Sequence, residues 1–189
     1  QELKIGFNSL LGTKPVIENK TRLKGDTPDS SIILGKYNSC EFIKNNVEQD
    51  RLEAITEEGY LIKNVKDKSQ NKEYMIITGR SFQGILYGVF TFLRFISTEK
   101  DLEGINYLDN PVSPIRMINH WDNLDGSIER GYAGKSIFYK NNNLKGDKIR
   151  IKDYARLLAS IGINSIAINN VNVSDEATRL IADKMDMVK

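Results

Sequence analysis

Two prolines three residues apart divide this chain into stretches with different grammar. Pro111 and Pro114 sit in Leu108-Asp109-Asn110-Pro111-Val112-Ser113-Pro114. Proline has no N–H to donate and holds the residue before it in extended backbone, so neither a helix nor a central strand passes through this segment. Flanked by Asp, Asn and Ser, it reads as an extended connector. One domain is therefore expected over residues 1–110 and another over 111–189.

Upstream of the connector, the alternation of Leu3, Ile5 and Phe7 predicts a short first strand. Residues 20–29 read as loop, and Ser31-Ile32-Ile33-Leu34-Gly35, a β-branched run closed by Gly, as a buried strand. Asn38 or Ser39 is placed to cap a helix carrying Cys40, Ile43 and Val47. The strand-like segments Glu58–Val65 and Glu73–Gly79, separated by polar residues 66–72, predict an antiparallel hairpin. Ser81 then caps a helix from Phe82 to Ile96, whose stripe is Ile85, Leu86, Val89, Phe92, Leu93 and Ile96. Gly84 and Gly88 share one face of that helix, where each costs roughly 1 kcal/mol relative to Ala unless a neighbour approaches closely. The helix is thus expected to lie tight against the sheet, in an α+β domain with helices on one face of a sheet.

Downstream the order changes to strand, helix, strand, helix. Ile115–His120 reads as a strand, followed by a Gly-rich loop to about Gly146 and a helix from Asp153 to Ile161 ended by Gly162. Ser165–Asn169 is the next strand, and Ser174 caps a last helix from Asp175 to about Met187. Short connections between such elements imply parallel strands and right-handed crossovers. The pattern alone leaves two architectures open, the start of a (β/α)8 barrel or part of a doubly wound sheet.

In both, ligands bind at the carboxyl ends of the strands. Those ends read Asn119-His120-Trp121-Asp122-Asn123 and Asn169-Asn170-Val171-Asn172, and the first holds the only Trp and the only His of the chain. Amides beside an aromatic or apolar platform suit a sugar, whose hydroxyls need donors and acceptors and whose C–H face stacks on an indole. A phosphate would call for Gly-rich turns and lysines at the strand ends. The plainer readings are packing for Trp121, a hydrogen-bonded structural role for His120, and turn chemistry for Asp125-Gly126 and Gly131. Glu129 and Arg130 are adjacent, so their side chains diverge; Arg130 either grips a carboxylate in bidentate fashion or serves a structural ion pair.

Composition matters here for what it excludes. A single cysteine, Cys40, forbids an intrachain disulfide and a thiolate cluster, and reads as a small core residue. With one histidine besides, no zinc site is expected, and no metal or cofactor is assigned. Lysines and acids are interspersed at a net charge of +2, which gives no footprint for nucleic acid. No run reaches the ~18 apolar residues of a membrane helix, so no membrane partner is expected. Gln1 is not a translation start, which leaves room for a removed signal peptide, and a periplasmic or extracellular location is expected ahead of a cytoplasmic one.

The run Arg116-Met117-Ile118-Asn119-His120-Trp121-Asp122-Asn123-Leu124-Asp125-Gly126-Ser127-Ile128-Glu129-Arg130-Gly131-Tyr132-Ala133-Gly134 resembles the signature of the family 67 glycoside hydrolases, the microbial α-glucuronidases. Asp153–Asn164 and Asn169–Asn172 continue the likeness, and Leu86-Tyr87-Gly88-Val89-Phe90 resembles the end of the family's N-terminal domain. The resemblance implies an N-terminal α+β domain before the first two β/α units of a (β/α)8 barrel. It implies an inverting enzyme that removes (4-O-methyl-)glucuronic acid from glucuronoxylan-derived oligosaccharides. By resemblance, Trp121 stacks in the uronic acid pocket and Val171 lines the space for the 4-O-methyl group; His120, Asn170 and Arg130 are added as polar neighbours from position alone.

The family's acid and base carboxylates come from later barrel strands, and Asp122, Asp125 and Glu129 match none of its catalytic positions. Inversion needs two carboxyl groups roughly 6.5–9.5 Å apart around a water. The 189-residue chain alone is therefore expected to hydrolyse nothing, with no catalytic residue assigned in it. Two parallel strands alone would expose edges and an apolar face, so either the last seventy or so residues pack unusually or a homodimer forms. A non-catalytic carbohydrate-binding or interaction module is the competing reading, and a related exo-hexosaminidase the third.

Overall fold

A computed structural model describes residues 1–20, 27–67, 71–145 and 147–168. Two compact units divide the chain, Gln1–Val112 and Ser113–Lys189.

The first unit is a four-stranded sheet of order β1-β3-β2-β4, with β1 at Ser31–Lys36, β2 at Tyr60–Asp67, β3 at Lys72–Gly79 and β4 at Asn106–Asp109. β1 runs parallel to β3, and β2 is antiparallel to both β3 and β4. The expected hairpin is thus present. β4 takes in Leu108 and Asp109, which the sequence assigned to the connector; an edge strand needs only one bonded neighbour, so it runs to within two residues of Pro111.

Helices cover both faces of this sheet, not one. Leu61 and Val65 of β2 and Tyr74 and Ile76 of β3 pack with Ile43, Val47, Leu52 and Ile55 from short helices α2 (Glu41–Asn46) and α3 (Gln49–Glu53) and their ends. On the other face lies α4, Phe82–Ser97. The reason is in the strands: Tyr60-Leu61-Ile62 and Ile76-Ile77 are buried without alternation, which is how a strand covered on both sides reads. Ser81 caps α4, accepting from the Gly84 N–H at 3.1 Å. A Cβ on Gly88 would sit 2.8 Å from Ile77 Cγ2 and 3.2 Å from Tyr60, and one on Gly84 would collide with the Gly59 carbonyl. The two glycines therefore permit the close approach expected of them.

Two sequence expectations fail here. Leu3, Ile5 and Phe7 lie on a helix, α1 (Glu2–Leu11), because Leu3, Phe7 and Leu10 also satisfy helical spacing. Tertiary packing decides between the two periods: Phe7 stacks on Phe92 at 6.4 Å, and Leu93 fills the place a Gly6 side chain would take. Asn38 and Ser39 belong to a 3₁₀ turn, and Cys40 itself takes the N-cap position of α2 without a side-chain bond. Cys40 is half-buried against the core.

The second unit holds β5 (Met117–Asn119) and β8 (Ser165–Ala167) as a parallel pair, Asn119 beside Ala167. Between them come a hairpin of β6 (Tyr139–Lys140) and β7 (Asn143–Leu144), then α5 (Lys148–Ser160). The helix starts five residues before the expected Asp153, because the Asp147 carboxylate accepts the Arg150 N–H at 3.0 Å and caps it there. The alternating Lys148-Ile149-Arg150-Ile151-Lys152 had masked that start. At the opposite end Asn164 clamps the entry to β5, accepting from the Arg116 N–H at 3.0 Å and donating to the Pro114 carbonyl at 2.8 Å. The expected last helix, 175–187, lies outside the described residues.

Candidate functional site

At the carboxyl end of β5 the ladder continues for one more bond, His120 N–H to the Ala167 carbonyl at 2.8 Å. Successive side chains of extended backbone point to opposite faces. Met117, Asn119 and Trp121 are exposed, Trp121 at 47 %. His120 and Asp122 lie on the other side, against Phe138 and Tyr154.

On that inner side His120 Nε2 is bonded to the Tyr154 hydroxyl at 2.8 Å, and Nδ1 lies 3.5 Å from Asp122 Oδ1. With the ring proton on Nδ1 facing the carboxylate, Nε2 accepts from the phenol. The His120 ring meets Phe138 edge-on at 4.9 Å and Tyr154 at 5.4 Å. Asp122 is 1 % exposed, and its Oδ2 has no hydrogen-bond partner among the described residues. Burial first, and then the Asp122 charge, raise the Tyr154 phenol above its ordinary range; the same two causes push Tyr139 up to about 12. An open cleft of about 390 Å³ runs past this group, lined also by Ile128, Lys135, Arg150 and Asp153.

The loop beyond is built by its own polar side chains. Asp125 Oδ1 accepts from the Ser127 N–H at 2.8 Å and hydroxyl at 2.7 Å, which hold its carboxyl below the usual range. Asn123 donates to Ser127 Oγ at 2.9 Å and to the Glu129 carbonyl at 2.8 Å, and Glu129 N–H returns to the Trp121 carbonyl at 2.9 Å. The backbone bearing Trp121 is thereby tied across the turn. Gly126, at φ 98°, sits where a Cβ would lie 2.9 Å from the Tyr139 carbonyl, so this turn excludes any side chain. Below it the buried Ser136 hydroxyl accepts from Phe138 N–H at 3.0 Å and Tyr139 N–H at 2.9 Å, and the Tyr139 hydroxyl donates to the Ile168 carbonyl at 2.9 Å. Tyr139 thus links the hairpin to the residue after β8.

Of the five candidates named from sequence, Trp121 and His120 are adjacent but face opposite ways. Arg130 is exposed on the loop. Asn170 and Val171 lie outside the described residues. Sequence reasoning did not nominate Tyr154, Phe138 and Tyr139, which surround His120 and pin the strand ends, nor Asn119, which shares the face of Trp121. The period-2 rule carried along β5 to Trp121 was the available signal for Asn119.

Over residues 1–92 the chain matches the family description "Glycosyl hydrolase family 67 N-terminus", and over residues 95–189 "Glycosyl hydrolase family 67 middle domain". The chain belongs to glycoside hydrolase family 67. This family 67 chain is 37 % identical over 186 residues to a protein named probable alpha-glucuronidase A from Aspergillus fumigatus, covering 98 % of the chain and 20 % of that relative. It is 36 % identical over 185 residues to alpha-glucuronidase A of Aspergillus tubingensis, with the same coverage of each. Over 110 residues, 58 % of the chain and 13 % of the relative, identity to the Aspergillus terreus protein named probable alpha-glucuronidase A rises to 48 %. The chain thus spans about a fifth of the length of the first two relatives. Among solved structures, a family GH115 4-O-methyl-alpha-glucuronidase described as having specificity for decorated arabinogalactans shares the fold, with a TM-score of 0.58 at 14 % identity over 87 % of this chain and 22 % of that one.

Proposed function

We propose that this family 67 chain supplies the accessory domain and the first wall of the substrate pocket in an inverting α-glucuronidase that releases (4-O-methyl-)glucuronic acid from glucuronoxylo-oligosaccharides. In this reading residues 1–110 are the accessory domain, and β5, α5 and β8 belong to the first β/α units of a (β/α)8 barrel. The observation that carries it is Trp121, half-exposed at the carboxyl end of a parallel strand pair and tied there through its carbonyl by Glu129. A rigid indole at that position is a stacking platform for the C–H face of a pyranose.

His120 positions this wall through Tyr154 and Asp122. Arg130, Asn170 and Val171 are its further substrate neighbours, Val171 for the 4-O-methyl group. No residue of the chain is assigned as the acid or the base. The protein acts in the periplasm or outside the cell, and the two-stranded sheet of the second unit associates with a second copy when the chain stands alone.

The test is to incubate the 189-residue chain and the full-length gene product separately with aldouronic acids. Release of glucuronic acid with inversion by the full-length protein, and none by the chain, is the expected result. Hydrolysis by the chain alone would overturn the assignment of the reacting carboxylates to other parts of the protein. Binding without hydrolysis by the full-length protein would make this a carbohydrate-binding module, and release of N-acetylhexosamine would make it a hexosaminidase.

A further inference from the structure

We infer that Asn119 is a sugar-contacting residue that works with Trp121 as one subsite, a conclusion that rests on the pocket reading above. Asn119 ends β5 and is exposed, and its carboxamide makes no hydrogen bond among the described residues. It lies two residues before Trp121, which sets both side chains on one face with their Cα atoms about 7 Å apart. Across the ladder its partner is Ala167, whose methyl group leaves the wall recessed beside the amide. On the opposite face His120 is committed to Tyr154 and Asp122, and Tyr139 closes on Ile168.

An amide beside an aromatic plane suits vicinal ring hydroxyls. Asn119 Oδ1 accepts from one hydroxyl and Nδ2 donates to its neighbour, while the indole takes the ring's C–H face. The Trp121 ring alone sets the depth of the sugar; the amide sets its rotation in the plane of the stack. Asn119 therefore contributes to the choice of hydroxyl configuration, which stacking cannot read.

The test uses the full-length protein with Asn119→Ala and Trp121→Ala, on aldouronic acids and on analogues lacking one glucuronosyl hydroxyl at a time. Asn119→Ala is expected to lower kcat/KM about tenfold, the size of one or two lost hydrogen bonds, while Tm stays that of the wild type because the side chain is exposed and unbonded. One deoxy analogue should cost the wild type a similar factor and cost the Asn119→Ala variant nothing further. An Asn119→Ala variant within twofold of wild type, or one that still discriminates against every deoxy analogue as wild type does, overturns the assignment. If Trp121→Ala is crippled in that case, only the Asn119 assignment falls; if Trp121→Ala is also unimpaired, the pocket reading falls with it.

Discussion

Single side chains hold the second unit's strand ends in place, and Tyr139 is the clearest of them. Its ring is fully buried and its hydroxyl is spent on the Ile168 carbonyl at 2.9 Å. Tyr139→Phe keeps the packing but strands that carbonyl, so it is expected to cost about 1–2 kcal/mol in urea denaturation. The phenol also carries a pH signature. Its ordinary value of 10.0 is pushed up to about 12, by burial first and by the Asp122 charge second. A raised folded value favours the protonated native state, so this contribution is complete below pH 10 and is lost as pH rises through about 12. The gap in stability between wild type and Tyr139→Phe should therefore hold constant from pH 7 to 9 and narrow between pH 10 and 12. A gap that persists unchanged at pH 12 would show that the phenolic proton plays no part.

Among the elements, α4 shows how a local penalty is offset by tertiary packing. Glycine within a helix costs about 1 kcal/mol relative to alanine, so Gly84→Ala would stabilise an isolated helix. In this protein the added methyl meets the Gly59 carbonyl, a backbone atom that yields only if the β2 entry shifts. Overpacking of this kind costs about 1–3 kcal/mol, more than the propensity gain at its upper end. Gly84→Ala is expected to lower Tm, and a raised Tm would mean that the β2 entry yields to the added methyl at little cost. That closeness was legible in sequence, because two glycines four apart on an apolar helix face have few other uses. The hairpin and the capped helix were legible for the same reason, each being decided by local pattern. The α1 helix was not, since Leu3, Ile5 and Phe7 fit a strand period while Leu3, Phe7 and Leu10 fit a helical one, and the choice rests on contacts with Phe92 and Leu93, far along the chain. The β6–β7 hairpin was missed although Asn141 and Asn142, at φ 51° and 60°, make the two-residue turn that asparagine tolerates. Its strands are two residues each, too short for a period to show. At the site, the residue types at the carboxyl end of β5 were legible. Their division into an exposed face of Asn119 and Trp121 and an inner face of His120 and Asp122 required the ladder to be followed past its last strand residue.

At the scale of the whole molecule, the second unit raises a question of solubility. Its described parallel sheet has two strands, whereas parallel sheets ordinarily have both faces and both edges covered. Several large apolar side chains around it are exposed, among them Ile115 at 68 %, Met117 at 53 %, Leu157 at 58 % and Ile161 at 62 %. Leu157 and Ile161 lie four apart at the end of α5 and continue one stripe, the arrangement by which a helix packs on a neighbour. Exposed apolar surface of this kind drives association. The 189-residue chain, 21.5 kDa as a monomer, is therefore expected to give a concentration-dependent rise in mass by light scattering. Leu157→Lys should suppress that rise by placing a charge in the stripe, without unfolding the unit, because the side chain is already more than half exposed. A single species of monomer mass at high concentration would remove the dimer and require these side chains to be tolerated in water. Full-length protein tested in parallel separates the two cases: if further chain covers the stripe, Leu157→Lys should lower its Tm, and if solvent does, the substitution should leave Tm unchanged.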